Sequence, residues 1–125
     1  MNDKPTLDDL FSDNGAFDES EVVKAIQPFV TIQRSSNEIF LRDAGLSVEK
    51  KILVYGLAKK LLHVKGVLED ESITASEVHK KTGIKKGSTD PTFKKLKDGG
   101  FLLGKGSSEI PNMKISQIIN MLSQK

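Results

Sequence analysis

Thr74-Ala75-Ser76-Glu77-Val78-His79-Lys80-Lys81-Thr82-Gly83-Ile84-Lys85-Lys86-Gly87-Ser88-Thr89-Asp90-Pro91-Thr92-Phe93-Lys94-Lys95-Leu96-Lys97-Asp98-Gly99-Gly100-Phe101-Leu102-Leu103 is the stretch on which the reading of this chain turns. Thr74 and Glu77 have the spacing of a capping box, in which the threonine hydroxyl and the glutamate satisfy the free N–H groups of a starting helix. A short helix over about Ala75–Lys81 follows. Gly83 supplies a left-handed residue after its end, and Ile84 is the apolar residue that often comes next. Ser88 or Thr89 then caps another helix, with Pro91 in the first turn where its missing N–H is not needed. That helix runs to about Asp98 and stops at Gly99-Gly100. Phe101-Leu102-Leu103 reads as a strand, Gly104–Ser108 as a turn and Glu109-Ile110 as a short return strand before Pro111.

Upstream, Ser47 caps the strongest helix, about Val48–Val64. Its apolar positions cover more than half of the circumference, which predicts a central helix packed on two sides. Lys59 and Lys60 fall on the remaining strip, and Gly66 is the stop. Downstream, Ile115, Ile118, Ile119 and Leu122 form a one-sided seam on a last helix, about Lys114–Ser123. A first helix begins near Asp18, with Val22, Val23, Ile26, Phe29 and Val30 at helical spacing, and Pro28 ends or kinks it. Between Pro28 and Ser47, Val30-Thr31-Ile32 and Ile39-Phe40-Leu41 suit a small hairpin, with a helix over Asn37–Asp43 as the competitor. Residues 1–17 are acidic and hold no period, so they read as a disordered tail. The alternative is an acidic-hydrophobic segment that docks on a partner or on the basic body.

From Val48 onward the order is long helix, short helix, tight turn, helix, strand, Gly-rich turn, strand, helix. Ile73–Val78, the Gly83-Ile84 turn and Gly87–Leu102 together resemble the winged helix-turn-helix superfamily. The pattern is similar to PadR-, MarR- and ArsR-type regulators, and the Ser/Thr-x-x-Pro start is most like PadR. The resemblance covers roughly residues 48–110. It implies a mostly α fold with a small β-hairpin wing, occupying residues 18–125 with an N-terminal helical extension and a C-terminal helix. It also implies binding of double-stranded DNA by a transcriptional regulator, with helix 88–98 in the major groove.

Charge points the same way independently. The formal net charge is only +2, but residues 1–21 hold seven acids and one base, −6, and the rest holds +8. Residues 79–105 alone carry eight lysines and two acids, +6. Lysines neutralise phosphates and release counterions, which gives affinity without sequence preference. On the helix, Phe93 and Leu96 face the core, while Asp90 and Lys94 lie opposite, with Lys95 and Lys97 on the flanks. Lys94 can reach guanine, and Asp90 can accept from cytosine. Ser88 and Thr89 at the helix start suit a phosphate. The candidate DNA contacts are therefore Lys85, Lys86, Ser88, Thr89, Asp90, Lys94, Lys95, Lys97 and Lys105, the last on the wing. Both arginines, Arg34 and Arg42, lie upstream, so phosphate binding is better supported than base readout.

Other function classes find little support. There is no cysteine, which excludes disulfides, thiolate metal sites and thiol chemistry. No apolar run reaches the length of a membrane span, and the N-terminus lacks the features of a signal peptide, so a cytoplasmic protein is expected. Gly99-x-x-x-x-Gly104-Lys105 misses a P-loop, because Gly106 stands where Ser or Thr would hold Mg²⁺. His63 and His79 have no metal-ligand spacing, and Asp8-Asp9 and Glu69-Asp70-Glu71 sit in no apolar pocket. The expectation is neither an enzyme nor a cofactor binder. The first and last helices either complete the core or form a homodimer interface. The runner-up function is a winged-helix module that binds protein rather than DNA.

Overall fold

The structure, a computed structural model, describes residues 17–42 and 45–123. The acidic segment before Phe17 lies outside the described residues. Five α-helices and one two-stranded sheet are present among those described.

Helix α1, Glu19–Ile26, starts as the sequence predicts: the Asp18 carboxylate accepts from the N–H groups of Ser20 at 2.9 Å and Glu21 at 3.3 Å. Pro28 follows directly. Strands β1, Val30–Ile32, and β2, Ile39–Leu41, pair antiparallel with Thr31 opposite Phe40. The hairpin therefore forms rather than the competing helix. Asn37 takes a left-handed φ of 59° in the connecting loop, a conformation that Asn tolerates and a helix does not admit.

Helix α2, Val48–Val64, is capped by Ser47, whose hydroxyl accepts from Lys50 N–H at 3.2 Å. Every residue from Ile52 to Ala58 is buried, as a central helix requires. The other helices and the hairpin surround it. Val22 and Ile26 of α1, Val30 and Ile39 of the hairpin, and Ile115, Ile118 and Leu122 of the last helix all join one core cluster with α2. The segment 20–42 thus belongs to the same core as the rest.

Lys60 departs from the expected exposed strip. It is only 5 % exposed, and its ammonium lies 2.7 Å from Glu71. A periodicity argument places its Cα on the polar side of α2. The connection after α2 folds back over that side and supplies a carboxylate.

Helix α3, Ala75–Thr82, is capped by Thr74, which accepts from Glu77 N–H at 3.0 Å, and ends on Gly83 at φ 77°. Helix α4, Lys86–Asp98, begins earlier than Ser88 or Thr89. The N–H groups of Ser88 and Thr89 both bond to the Lys85 carbonyl at 2.9 Å. Thr89 is fully buried and donates its hydroxyl to the same carbonyl at 2.9 Å. Burying Thr89 on the inner face draws residues 86–88 into the helix. Pro91 consequently sits in the second turn, where its missing N–H leaves one intrahelical bond unmade.

Beyond Gly100 the expected pair of wing strands is reduced to single bridges. Leu103 and Glu109 exchange two backbone hydrogen bonds at 2.9 Å, and Ser108 exchanges two with Ile73 at 2.7 Å. The second bridge joins the loop to the residue before α3, a partner not foreseen from sequence. A 3₁₀ turn, Asn112–Lys114, leads into α5, Ile115–Ser123, which packs on α1 and α2.

The loop's return limb also rests on α2. A Cβ at Gly56 would lie 2.8 Å from Ile110 Cδ1 and 3.6 Å from Ile73 Cδ1. Gly56→Val is expected to destabilise the protein by about 2 kcal/mol through overpacking, read as a lowered midpoint in urea unfolding. An unchanged midpoint would show that Ile110 yields freely.

Candidate nucleic-acid interface

The unit α3–turn–α4 is held from within. His79 Nδ1–H donates to the Ile84 carbonyl at 2.6 Å, tying the end of α3 to the turn. Thr82 donates to Val78 O at 2.6 Å and accepts from Ile84 N–H at 3.3 Å. Ile84, Thr89, Phe93 and Leu96 are buried against the core. These contacts set the angle between the two helices and leave the other side of α4 to solvent. His79 is therefore a turn-fixing residue. His63 has a similar role at the end of α2, where Nδ1–H donates to the Leu68 carbonyl at 3.1 Å.

Lys85, Lys86, Ser88, Asp90 and Lys94 are all exposed, as is Lys105 in the loop Gly104–Ser107. Lys80 and Lys81 on α3 are exposed as well. Lys85 stands at the N-cap of α4, and among the described residues no side chain caps it. The N–H groups of Lys86 and Gly87 precede the first bond of the helix, and a side chain at Gly87 would meet nothing. Open donors, the positive end of the helix dipole and two lysines thus coincide, a combination suited to an anion.

Of the expected contacts, Thr89 is placed otherwise, while Lys95 and Lys97 stay on the flanks but have partners within the molecule. Thr89 is fully buried with its hydroxyl engaged, so it supports the helix and does not reach a ligand. Lys95 extends toward α2 and pairs with Glu49 at 3.4 Å, though its side chain remains 74 % exposed. Lys97 lies over the Phe93 ring at 5.9 Å. Among the expected contacts, the freely presented lysines are therefore Lys85, Lys86, Lys94 and Lys105.

Two polar clusters escaped the sequence reading. In the first, Lys60 faces Glu71, and the Glu109 carboxyl lies within hydrogen-bond reach of Glu71. Burial holds the Glu109 carboxyl above its usual range, and the hydrogen bond and charge of Glu71 push the same way; Lys60 opposes them. In the second, Glu77 Oε2 accepts from Tyr55 at 2.7 Å and from Lys59 at 2.9 Å. Burial, then Glu77, keeps the Tyr55 hydroxyl protonated far beyond the ordinary range. Acid and base pairs separated by more than ten residues carry no local spacing signal, which is why neither cluster could be read from the chain.

Among the described residues no group of three or more His, Asp or Glu could hold a metal ion, and no helix is long and apolar enough to cross a membrane. Comparison with known proteins finds no matching family model, no matching curated protein and no matching solved structure.

Proposed function

We propose that the protein is a cytoplasmic, non-enzymatic winged-helix transcriptional regulator that binds double-stranded DNA through α4, with Lys105 on the wing loop touching phosphate. The observation that carries this reading is the exposed set Lys85, Lys86, Lys94 and Lys105, the first two at an uncapped helix N-terminus, on a helix pair whose inner face is locked into the core. Lysines in this arrangement neutralise backbone phosphates, and Lys94 and Asp90 face outward where base edges would lie. The bridges at Leu103–Glu109 and Ile73–Ser108 close the loop that follows α4, and such a loop suits the wing of this reading. Binding as a homodimer fits the same reading, because an open groove of about 590 Å³ lies between α1 and α5, with Phe29, Ile119 and Leu122 on its walls.

A second reading, a winged-helix module that binds protein, draws on Lys95 and Lys97, whose charges are already engaged within the molecule. A salt titration separates the two. About four phosphate contacts predict that log affinity for generic duplex DNA falls linearly with log salt, with a slope of about −4. Lys94→Ala should lower the magnitude of that slope by about 1. Absence of binding at low salt would sink the DNA reading.

A further inference from the structure

A cleft of about 410 Å³ opens between the β1–β2 hairpin, the middle of α2, the connection after α2 and the exposed side of α3. Its size is that of a small-molecule site. Its charge is opposite to that of the surrounding body. The floor is neutral: the Lys59 ammonium is spent on Glu77 at 2.9 Å and on the Ser72 carbonyl at 2.8 Å, and Tyr55 donates to the same Glu77 oxygen. The rim carries the carboxylates of Glu38, Glu69 and Asp70 against a single further ammonium, Lys81.

Asp70 is fixed in place. Its two oxygens accept from Ser72 N–H at 2.9 Å and from Ser72 Oγ at 2.6 Å, and these bonds hold it ionised. The hairpin and the connection that supply these carboxylates also give the cleft an apolar part. Phe40, 47 % exposed, presents its ring on β2, beside Ile39 and Leu68. An exposed phenyl ring on a three-residue strand gains nothing from water. Beside carboxylates it makes a surface that holds a cation by charge and by its ring face and apolar area together.

We propose that this cleft binds a small organic cation, an ammonium attached to an aromatic or apolar body. The ammonium sits against Glu69 and Asp70, and the body lies over Phe40 and Leu68. The neutral Tyr55–Glu77–Lys59 floor closes the site without competing for the charge. An anion of the same shape is disfavoured by the net −2 of the rim and floor together. The site is independent of the lysines on α4 and does not rest on the DNA-binding reading.

The test uses the 125-residue chain labelled with ¹⁵N and two probes that share a phenethyl body, phenethylammonium and 3-phenylpropionate. Phenethylammonium should give saturable amide shifts confined to residues 36–40, 55–59 and 68–77. The dissociation constant should be on the order of a millimolar, as befits about nine non-hydrogen atoms. The carboxylate probe should leave those amides unmoved. Glu69→Gln with Asp70→Asn, both at exposed positions, should weaken the cation about tenfold, and Phe40→Ala should weaken it by a similar factor. No localised shift with phenethylammonium at roughly ten times that concentration overturns the proposal. So does equal binding of the two probes, or undiminished binding by both variants.

Discussion

Reversing the charge at Lys85, Lys86 and Lys94 together is expected to abolish measurable binding to duplex DNA while leaving the folded protein intact. Each of these side chains is exposed and none is paired in the core. On the proposed reading, each reversal removes one phosphate contact and sets a carboxylate against the DNA backbone instead. Three such changes should weaken affinity by about a thousandfold or more near 0.1 M salt. Stability should scarcely move, because surface substitutions of this kind stay within about 0.5 kcal/mol each. Glutamate at positions 85 and 86 even suits the positive end of α4. The paired measurements are fluorescence anisotropy with a labelled duplex and thermal unfolding of the same samples. Undiminished affinity at an unchanged melting temperature would move the interface away from α4 and reject the proposed mode of binding.

The second large effect is expected inside the molecule. Lys60→Met keeps the length of the buried stem but removes the only ammonium shown in contact with Glu71, whose carboxylate stands beside Glu109. Breaking one side of a buried pair leaves an uncompensated charge, and a loss of about 3 kcal/mol is expected at neutral pH. That corresponds to a melting temperature lower by roughly 10 °C for a chain of this size. The loss should shrink as pH falls, because the Glu109 carboxyl, already held above its usual range, takes up a proton and lowers the need for a counter-charge.

The direction of the pH effect in the unmodified protein follows from Glu109. Its folded-state pKa is raised above the ordinary value. The protonated form is thus favoured by folding, and the stability it contributes is fully present below the unfolded pKa. That contribution fades as pH rises through the folded value. Glu109→Gln keeps a neutral partner for Glu71 and is expected to raise the melting temperature at neutral pH and to leave it unchanged at the acid end. Calorimetry across that range checks both variants. An equal loss for Lys60→Met at neutral and at acid pH would show that Lys60 acts through packing alone.

The consequence for function lies in where this pair sits. Glu109 bonds through its backbone to Leu103 at the base of the loop that carries Lys105, and Glu71 lies two residues before Ile73, which bridges to Ser108. The Lys60–Glu71–Glu109 cluster therefore anchors the base of the loop 103–109 to α2. A small loop that makes only single bridges depends on such an anchor more than a full hairpin would.

The sequence by itself determined the elements that rest on local chemistry. Asp18, Ser47 and Thr74 cap the helices they were expected to cap, because an N-cap bond spans only two or three residues. Gly83 ends α3 for an equally local reason. The buried length of α2 and the inward phase of Phe93 and Leu96 were legible because a helix repeats its faces every few residues. The run of lysines was visible as composition.

Only the tertiary structure decided the rest. Ser88 and Thr89 have the residue types of a cap, but the core claims the Thr89 side chain and α4 starts earlier. Lys60 has the phase of a surface residue, yet a carboxylate from the following connection meets it and buries the pair. Lys95 and Lys97 look free in the chain until Glu49 and Phe93 are brought to them. The strands expected after Gly100 are single bridges, one of them made with Ile73. In each case the deciding partner is remote in sequence or comes from the packed core. Periodicity and capping rules see only what lies within a turn or two, whereas burial and ion pairing are settled by whatever the fold brings alongside.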